Sequence, residues 1–308
     1  MKIRLLSASI AAMLVFASAC APTAPEAPPA SEATTPPAAA IPYGANSAAS
    51  GTFVHDSVTF YYETYGEGDP LLLVHGNGAS LGSMAAQIEF FSKRYKVIAM
   101  DSREQGKSGG SDAPINYEIM ADDLAALLDH LKAGPADIIG WSDGGIEGLL
   151  LAMRHPDKVK KLVAMAANLN PSLEAIYPET EAMAKDMVAS MPDEAKTTPD
   201  GKRFLKVSGL LLSEPHIDPA SLGKITAPTL IVSSDHDVIR LEHTVEIFNS
   251  LPNANLAVLP NSTHMLPYDE PELFNATVQR FLDTPFVKKD RINDMMASGV
   301  ELSKEMAH

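Results

Sequence analysis

Four short segments carry residue types that can act on an acyl carbonyl together. The first is Gly140-Trp141-Ser142-Asp143-Gly144, a Gly-x-Ser-x-Gly pattern between an apolar run (Ile138-Ile139) and a helix-like run from Ile146 to Met153. A serine on such a strand–turn–helix is held out at the end of a sheet beside a helix N-terminus, where a nucleophile and a developing negative oxygen are both favoured. By composition alone the pattern occurs in roughly one chain in ten of this length, so its context decides. A serine nucleophile needs a base, and the base needs an orienting acid. Of nine histidines, His264 is best placed, in a loop (Pro260–Met265) after the last apolar strand and before the final helix-like segment. His75 more readily shapes its own glycine loop, His130, His155 and His243 lie in or beside helix-like segments, and His216 lies in an irregular insert. The acid should follow the penultimate strand, where Ile231-Val232-Ser233-Ser234-Asp235-His236-Asp237 offers two. Asp237 is preferred because the later residue of the turn should reach toward the histidine. Asp235 is expected to bond its own turn backbone. The oxyanion would be held by the N–H of Asp143 and by that of Asn77, in His75-Gly76-Asn77-Gly78. That loop lacks the Gly-Lys-Ser/Thr ending of a phosphate cradle. Asp143 and Trp141, flanking the serine, are expected to face the substrate.

These loops need a scaffold. Val58–Tyr62 is β-branched and aromatic. Leu71–Val74, Val97–Met100, Leu162–Ala166, Leu230–Val232 and Leu256–Leu259 are short apolar runs of the kind that form strands buried on both faces. Helix-like segments alternate with them: Met84–Arg94, Tyr117–Leu131, the run after Ser142, Leu241–Ser250 and Glu270–Leu282. This alternation predicts an α/β fold, a mostly parallel sheet with helices on both faces. The rhythm stops between Asn170 and Lys224, and an insert at about 171–224 is expected to form a small helical cap over the site. The tail, 284–308, is amphipathic in places (Ile292, Met295, Met296).

The chain has 308 residues, 45% of them hydrophobic, which suffices for one large domain at 51–283. The net charge of −15, with no basic stripe, gives no electrostatic case for nucleic acid. The N-terminus has a different logic. A basic start (Lys2, Arg4) and an apolar segment (Leu5–Phe16) lead to Ala17-Ser18-Ala19-Cys20, the pattern of a secretory signal over residues 1–19. Two processings fit: lipidation of Cys20, the sole cysteine, or ordinary Ala-x-Ala cleavage releasing a soluble protein. The preferred reading is a lipidated Cys20 followed by an Ala/Pro-rich tether to residue 50, too poor in apolar residues to fold. The protein would then be exported to a bacterial cell envelope and anchored there through lipid alone.

Taken in chain order, the His75-Gly76 loop, Asp101-Ser102-Arg103, the Ser142 turn, the Asp237 loop and the His264 loop resemble the α/β-hydrolase superfamily from about Phe53 to Leu282. The order Ser, Asp, His is that superfamily's. Gly140–Ile146 is locally similar to its biphenyl-hydrolase-like (valacyclovir hydrolase) branch, where an acidic residue after the serine is associated with amino-acid esters. Two positions depart from the pattern: Glu104 stands where the family's Asp-x-Arg-Gly-x-Gly has its first glycine, and Ser234 where the acid turn has glycine. The resemblance implies a cofactor-free serine hydrolase of small carboxylic esters. Cofactor-free perhydrolysis (haloperoxidase-like), carbon–carbon bond hydrolysis on the same triad, and a catalytically silent binding module are the alternatives. The silent module usually lacks a triad member, and none is missing here.

Overall fold

The computed structural model describes residues 42–290 and 292–305. The expected signal segment, Cys20 and most of the tether lie outside the described residues. Eight strands form one sheet: β1 (Ser50–His55), β2 (Val58–Tyr65), β3 (Pro70–Val74), β4 (Lys96–Met100), β5 (Ala136–Trp141), β6 (Val159–Met165), β7 (Thr229–His236) and β8 (Ala254–Thr263). Their order is β1-β2-β4-β3-β5-β6-β7-β8. The β1/β2 and β2/β4 pairs are antiparallel and every other pair is parallel.

The central strands are apolar throughout because successive side chains enter different cores. Leu72 and Val74 pack on one face with Leu124 and Leu128 of α2 (Tyr117–Leu131) and Leu149 of α3 (Asp143–Arg154). Leu71 and Leu73 pack on the other face with Ile88 and Phe91 of one helix and Phe274 and Val278 of another. The expected α/β fold is the observed one.

Two differences lie at the N-terminal edge. β1 has no counterpart in the apolar pattern. As an edge strand it buries only Phe53, while Val54 is exposed. It is joined to β2 through Asp56 and Ser57, both at positive φ (45° and 63°), the backbone of a tight hairpin turn. Residues 42–49, read from sequence as tether, are fastened to the buried Glu63. The N–H groups of Gly44 and Asn46 donate to its carboxylate at 2.8 and 2.9 Å, as do the hydroxyls of Tyr61 and Tyr65. Burial by itself would raise the Glu63 pKa, but these bonds outweigh it and hold the group below its ordinary value.

Between β6 and β7 the insert is helical: α4 (Pro178–Ala189), α5 (Asp193–Lys196) and α6 (Pro199–Ser213). α6 starts where Thr198 caps the Gly201 N–H and Pro199 takes the first turn. After β7 come α7 (Leu241–Ser250), α8 (Leu266–Asp269) and α9 (Pro271–Asp283), and then α10 (Asn293–Glu305) in the tail, with Met295 and Met296 exposed. Among the described residues no helix is long and apolar enough to cross a membrane.

Candidate active site

Ser142 sits between β5 and α3 with φ 58° and ψ −118°, a left-handed backbone that costs a non-glycine residue energy. The strain persists because the strand and the helix are pressed together on either side. A Cβ on Gly140 would lie 2.0 Å from the Gly144 carbonyl oxygen, and one on Gly144 would lie 2.2 Å from the Val74 oxygen. The two glycines of the motif are therefore spaces that no side chain can fill.

The other corners converge on this turn. The Ser142 hydroxyl lies 3.0 Å from His264 Nε2, and His264 Nδ1 lies 2.7 Å from Asp237 Oδ1. These are hydrogen-bond distances, and they link three loops in the order expected of a nucleophile, a base and an acid. Asp237 is buried and also accepts from the Ile239 N–H at 3.2 Å, which fixes its carboxylate. Asp235 does not bond its own turn as the sequence suggested. It accepts from the N–H groups of Asn261 and Ser262, at 2.8 and 3.0 Å, in the segment that leads to His264. Those backbone bonds, with a contribution from His236, hold the Asp235 carboxyl far below its ordinary value. Ser234, the departure from the family's glycine, donates its hydroxyl to the Thr263 carbonyl at 2.6 Å. The serine thus holds the residue next to the base.

Trp141, expected to face the substrate, has its polar atom engaged inside the protein. It is buried, and its indole N–H donates to the His264 carbonyl at 2.8 Å, so the residue before the nucleophile positions the base. The expected contact of the Asp143 carboxylate with a substrate is likewise replaced by internal ones. The residue is only 1% exposed and accepts from Asn77 Nδ2 at 2.9 Å and from the Tyr117 hydroxyl. Burial pushes its pKa up to about 6, although those two bonds and His264 pull in the opposite direction. One turn along α3, Glu147 is raised well above its ordinary value, by burial first and then by the charges of Asp143 and Asp123.

On the oxyanion side, Asp143 opens α3, so its N–H has no carbonyl partner within the helix. The loop after β3 lies against the nucleophile, since a Cβ on Gly76 would be 3.2 Å from the Ser142 Cβ. That brings the Asn77 backbone beside the same turn. His75 shapes this loop, as expected. Its Nδ1–H donates to the Gly76 carbonyl at 2.8 Å and its Nε2 accepts from the Ser102 N–H at 3.0 Å, the pattern of a neutral ring. Burial pushes its pKa down accordingly.

Tyr117, Glu147, Gln105 and Glu104 also belong to the surroundings of the site. Only Glu104 had a signal in the sequence, as a departure from a glycine pattern. The other three are reached through side chains distant in the chain. A cavity of about 240 Å³ lies between the loop after β4 and α6, lined by Gly78, Glu104, Gln105, Arg203, Phe204 and Val207 among others. Neither Ser142 nor His264 lines it, so it neighbours the relay without containing it. Among the described residues no group of three or more His, Cys, Asp or Glu side chains is arranged to hold a metal ion.

Comparison with known proteins agrees with the fold. The family model of the alpha/beta hydrolase fold matches residues 69–207. The chain is 28% identical over 249 residues to the serine hydrolase BPHL of Mus musculus, covering 74% of this chain and 84% of that one. It is 24% identical over 249 residues to the (E)-2-((N-methylformamido)methylene)succinate hydrolase of Acinetobacter baylyi, covering 73% and 95%. Among solved structures, MGS-M2, an alpha/beta hydrolase enzyme from a Medee basin deep-sea metagenome library, superposes with a TM-score of 0.68 at 22% identity. That match covers 78% of this chain and all of the other.

Proposed function

Because the chain belongs to the α/β-hydrolase superfamily, we propose that it is a serine hydrolase that cleaves carboxylic esters of small molecules through an acyl-enzyme on Ser142. The observation that carries the reading is the unbroken relay from Ser142 through His264 to Asp237. As Ser142 Oγ attacks the ester carbonyl, its proton passes to His264 Nε2, and Asp237 stabilises the resulting imidazolium. The negative oxygen is met by the N–H groups of Asp143, at the positive end of α3, and of Asn77. The tetrahedral adduct collapses, and the C–O bond to the alcohol breaks as His264 returns the proton to the leaving oxygen. Water then attacks the acyl-enzyme with His264 as base, releasing the acid and restoring Ser142.

The test is a panel of p-nitrophenyl esters of graded acyl length. A lactone and a carbamate extend it, because relatives are named as an enol-lactonase and putative carbamate hydrolases. Activity should vanish in Ser142→Ala, a fall of at least about 1,000-fold. Equal rates for the two proteins would refute the mechanism. The N-terminus supports a further part of the reading: export and lipid attachment at Cys20. Fractionation of cells expressing the full chain should recover the protein with membranes, and Cys20→Ser should not be recovered there.

A further inference from the structure

The superfamily pattern leaves a glycine where this chain has Glu104. Glu104 nonetheless adopts that glycine's backbone, with φ at 64°. Its side chain is buried to within 2% of full burial and its carboxylate is taken up on several sides. The Ser111 N–H donates to Oε1 at 3.1 Å. Lys206 Nζ, from α6, lies 3.0 Å from the same oxygen, and Arg203 Nε lies 3.6 Å from Oε2. Room for the carboxylate is made at Gly110, where a Cβ would come within 1.8 Å of Oε2. Arg203 also donates to the carbonyls of Glu104 and Ser108, at 3.3 and 2.6 Å, and Lys206 donates to that of Ser111. The loop after β4 is thus a socket for two cations of the cap.

Arg203, Lys206 and Val207 are spaced i, i+3, i+4 and so share one face of α6. With the first two in the socket, Val207 faces the oxyanion loop. Its carbonyl accepts from Asn77 Nδ2 at 2.8 Å, and the same amide group donates to Asp143 at 2.9 Å. The next residue of the loop is held by the neighbour of Glu104, for the Gly78 N–H donates to Gln105 Oε1 at 2.7 Å.

We propose that Glu104 is a positioning residue for the oxyanion side of the site. Its carboxylate clasps α6 through Lys206 and Arg203, and α6, through the Val207 carbonyl, fixes the Asn77 side chain and hence the backbone N–H that meets the oxyanion. The proposal rests on the serine-hydrolase reading for its catalytic consequence but not for its structural one. It also accounts for the strained backbone, since the strain is maintained by three carboxylate contacts, to Ser111, Lys206 and Arg203, that a glycine could not make.

Two variants separate position from stability. Glu104→Gly removes the carboxylate and relieves the positive φ, so a fall in kcat in this variant cannot come from added backbone strain. Glu104→Gln keeps the shape without the charge. In both, kcat on the best ester of the panel should fall about tenfold or more, with KM within about threefold, as expected when a transition-state contact is displaced. Lys206→Met should behave in the same way, and Lys206→Arg should restore kcat to within about threefold of wild type. Hydrogen–deuterium exchange of the peptide spanning 75–80 needs no substrate and should be faster in Glu104→Gln and Glu104→Gly. Wild-type kcat together with wild-type exchange in both Glu104 variants would overturn the proposal. So would faster exchange with unchanged kcat in an enzyme that Ser142→Ala silences, because the clasp would then have no bearing on the oxyanion. If Ser142→Ala is as active as wild type, the serine mechanism falls, and the exchange result still decides whether Glu104 holds the loop.

Discussion

The two flanks of Ser142 are held by different physics. On the side of β7 and β8, the base and its acid rest on short-range contacts at adjacent strand ends. Asp237 meets His264, Ser234 holds the Thr263 carbonyl, Asp235 takes two N–H groups before the base, and Trp141 takes its carbonyl. On the side of β3, β4 and α6, the oxyanion loop rests on buried acids and on a helix contributed by the insert: Asp143 and Tyr117, Glu104 with Lys206 and Arg203, and Val207. The first flank is fastened mainly to backbone near in the fold. The second depends on charges taken out of water, whose worth changes with protonation and with the placement of α6. The difference suggests that the base side is rigid and the oxyanion side adjustable, and each side can be tested separately.

The largest effect should come from the base side. Asp237→Asn leaves the fold intact but favours the wrong tautomer of His264, and kcat should fall on the order of 10³–10⁴-fold with KM little changed. A loss under tenfold would mean that another group orients the base.

Next comes the buried charge of the oxyanion side. The folded chain holds the Asp143 pKa near 6, against an ordinary value of 3.8, so it takes up this proton at higher pH than the unfolded chain does. The ionised carboxylate therefore costs stability above pH 6, by about 3 kcal/mol for two units of displacement. The cost fades as the pH falls from 6 toward 4. Asp143→Asn keeps an acceptor for Asn77, so its Tm relative to wild type should be more favourable at pH 8 than at pH 5. A Tm difference independent of pH would show that no buried charge is present. Because the Asp143 oxygens are already occupied, the same variant should change the preference for amino-bearing over neutral esters by less than about threefold. A tenfold change would restore the direct recognition that the sequence suggested.

The smallest effect is expected at Trp141. Trp141→Phe keeps most of the ring and deletes one hydrogen bond to His264, worth about 1 kcal/mol. Rates should drop about fivefold, and the pair Trp141→Phe with Ser234→Ala should lose more than either alone. Unchanged kcat in the double variant would show that the base loop needs neither contact.

The sheet and the relay were legible because their signals are local. Unbroken apolar runs mark strands covered on both faces, and the loops that follow them must emerge at one end of a parallel sheet. Ser142, Asp237 and His264 could thus be chosen by position alone. β1 was not legible, because an edge strand with one buried residue leaves no alternation to read. The internal partners of Trp141 and Asp143 were not legible for a related reason. Adjacency to the nucleophile says that a side chain is near the chemistry, but whether it faces substrate or core depends on partners such as the His264 carbonyl and Tyr117, far away in sequence.

What the sequence determined by itself is the scaffold and the order of the three loops that carry Ser142, Asp237 and His264, since hydrophobic periodicity and glycine spacing act within a few residues of each site. What only the tertiary structure decided is how the polar side chains around those loops are spent. Glu104 reads as a departure from a glycine until α6 brings Arg203 and Lys206 to it, and Asn77 reads as a backbone donor until Val207 and Asp143 claim its amide. A buried polar group must find a partner, and that partner is set by the packing of distant elements, which no local pattern contains.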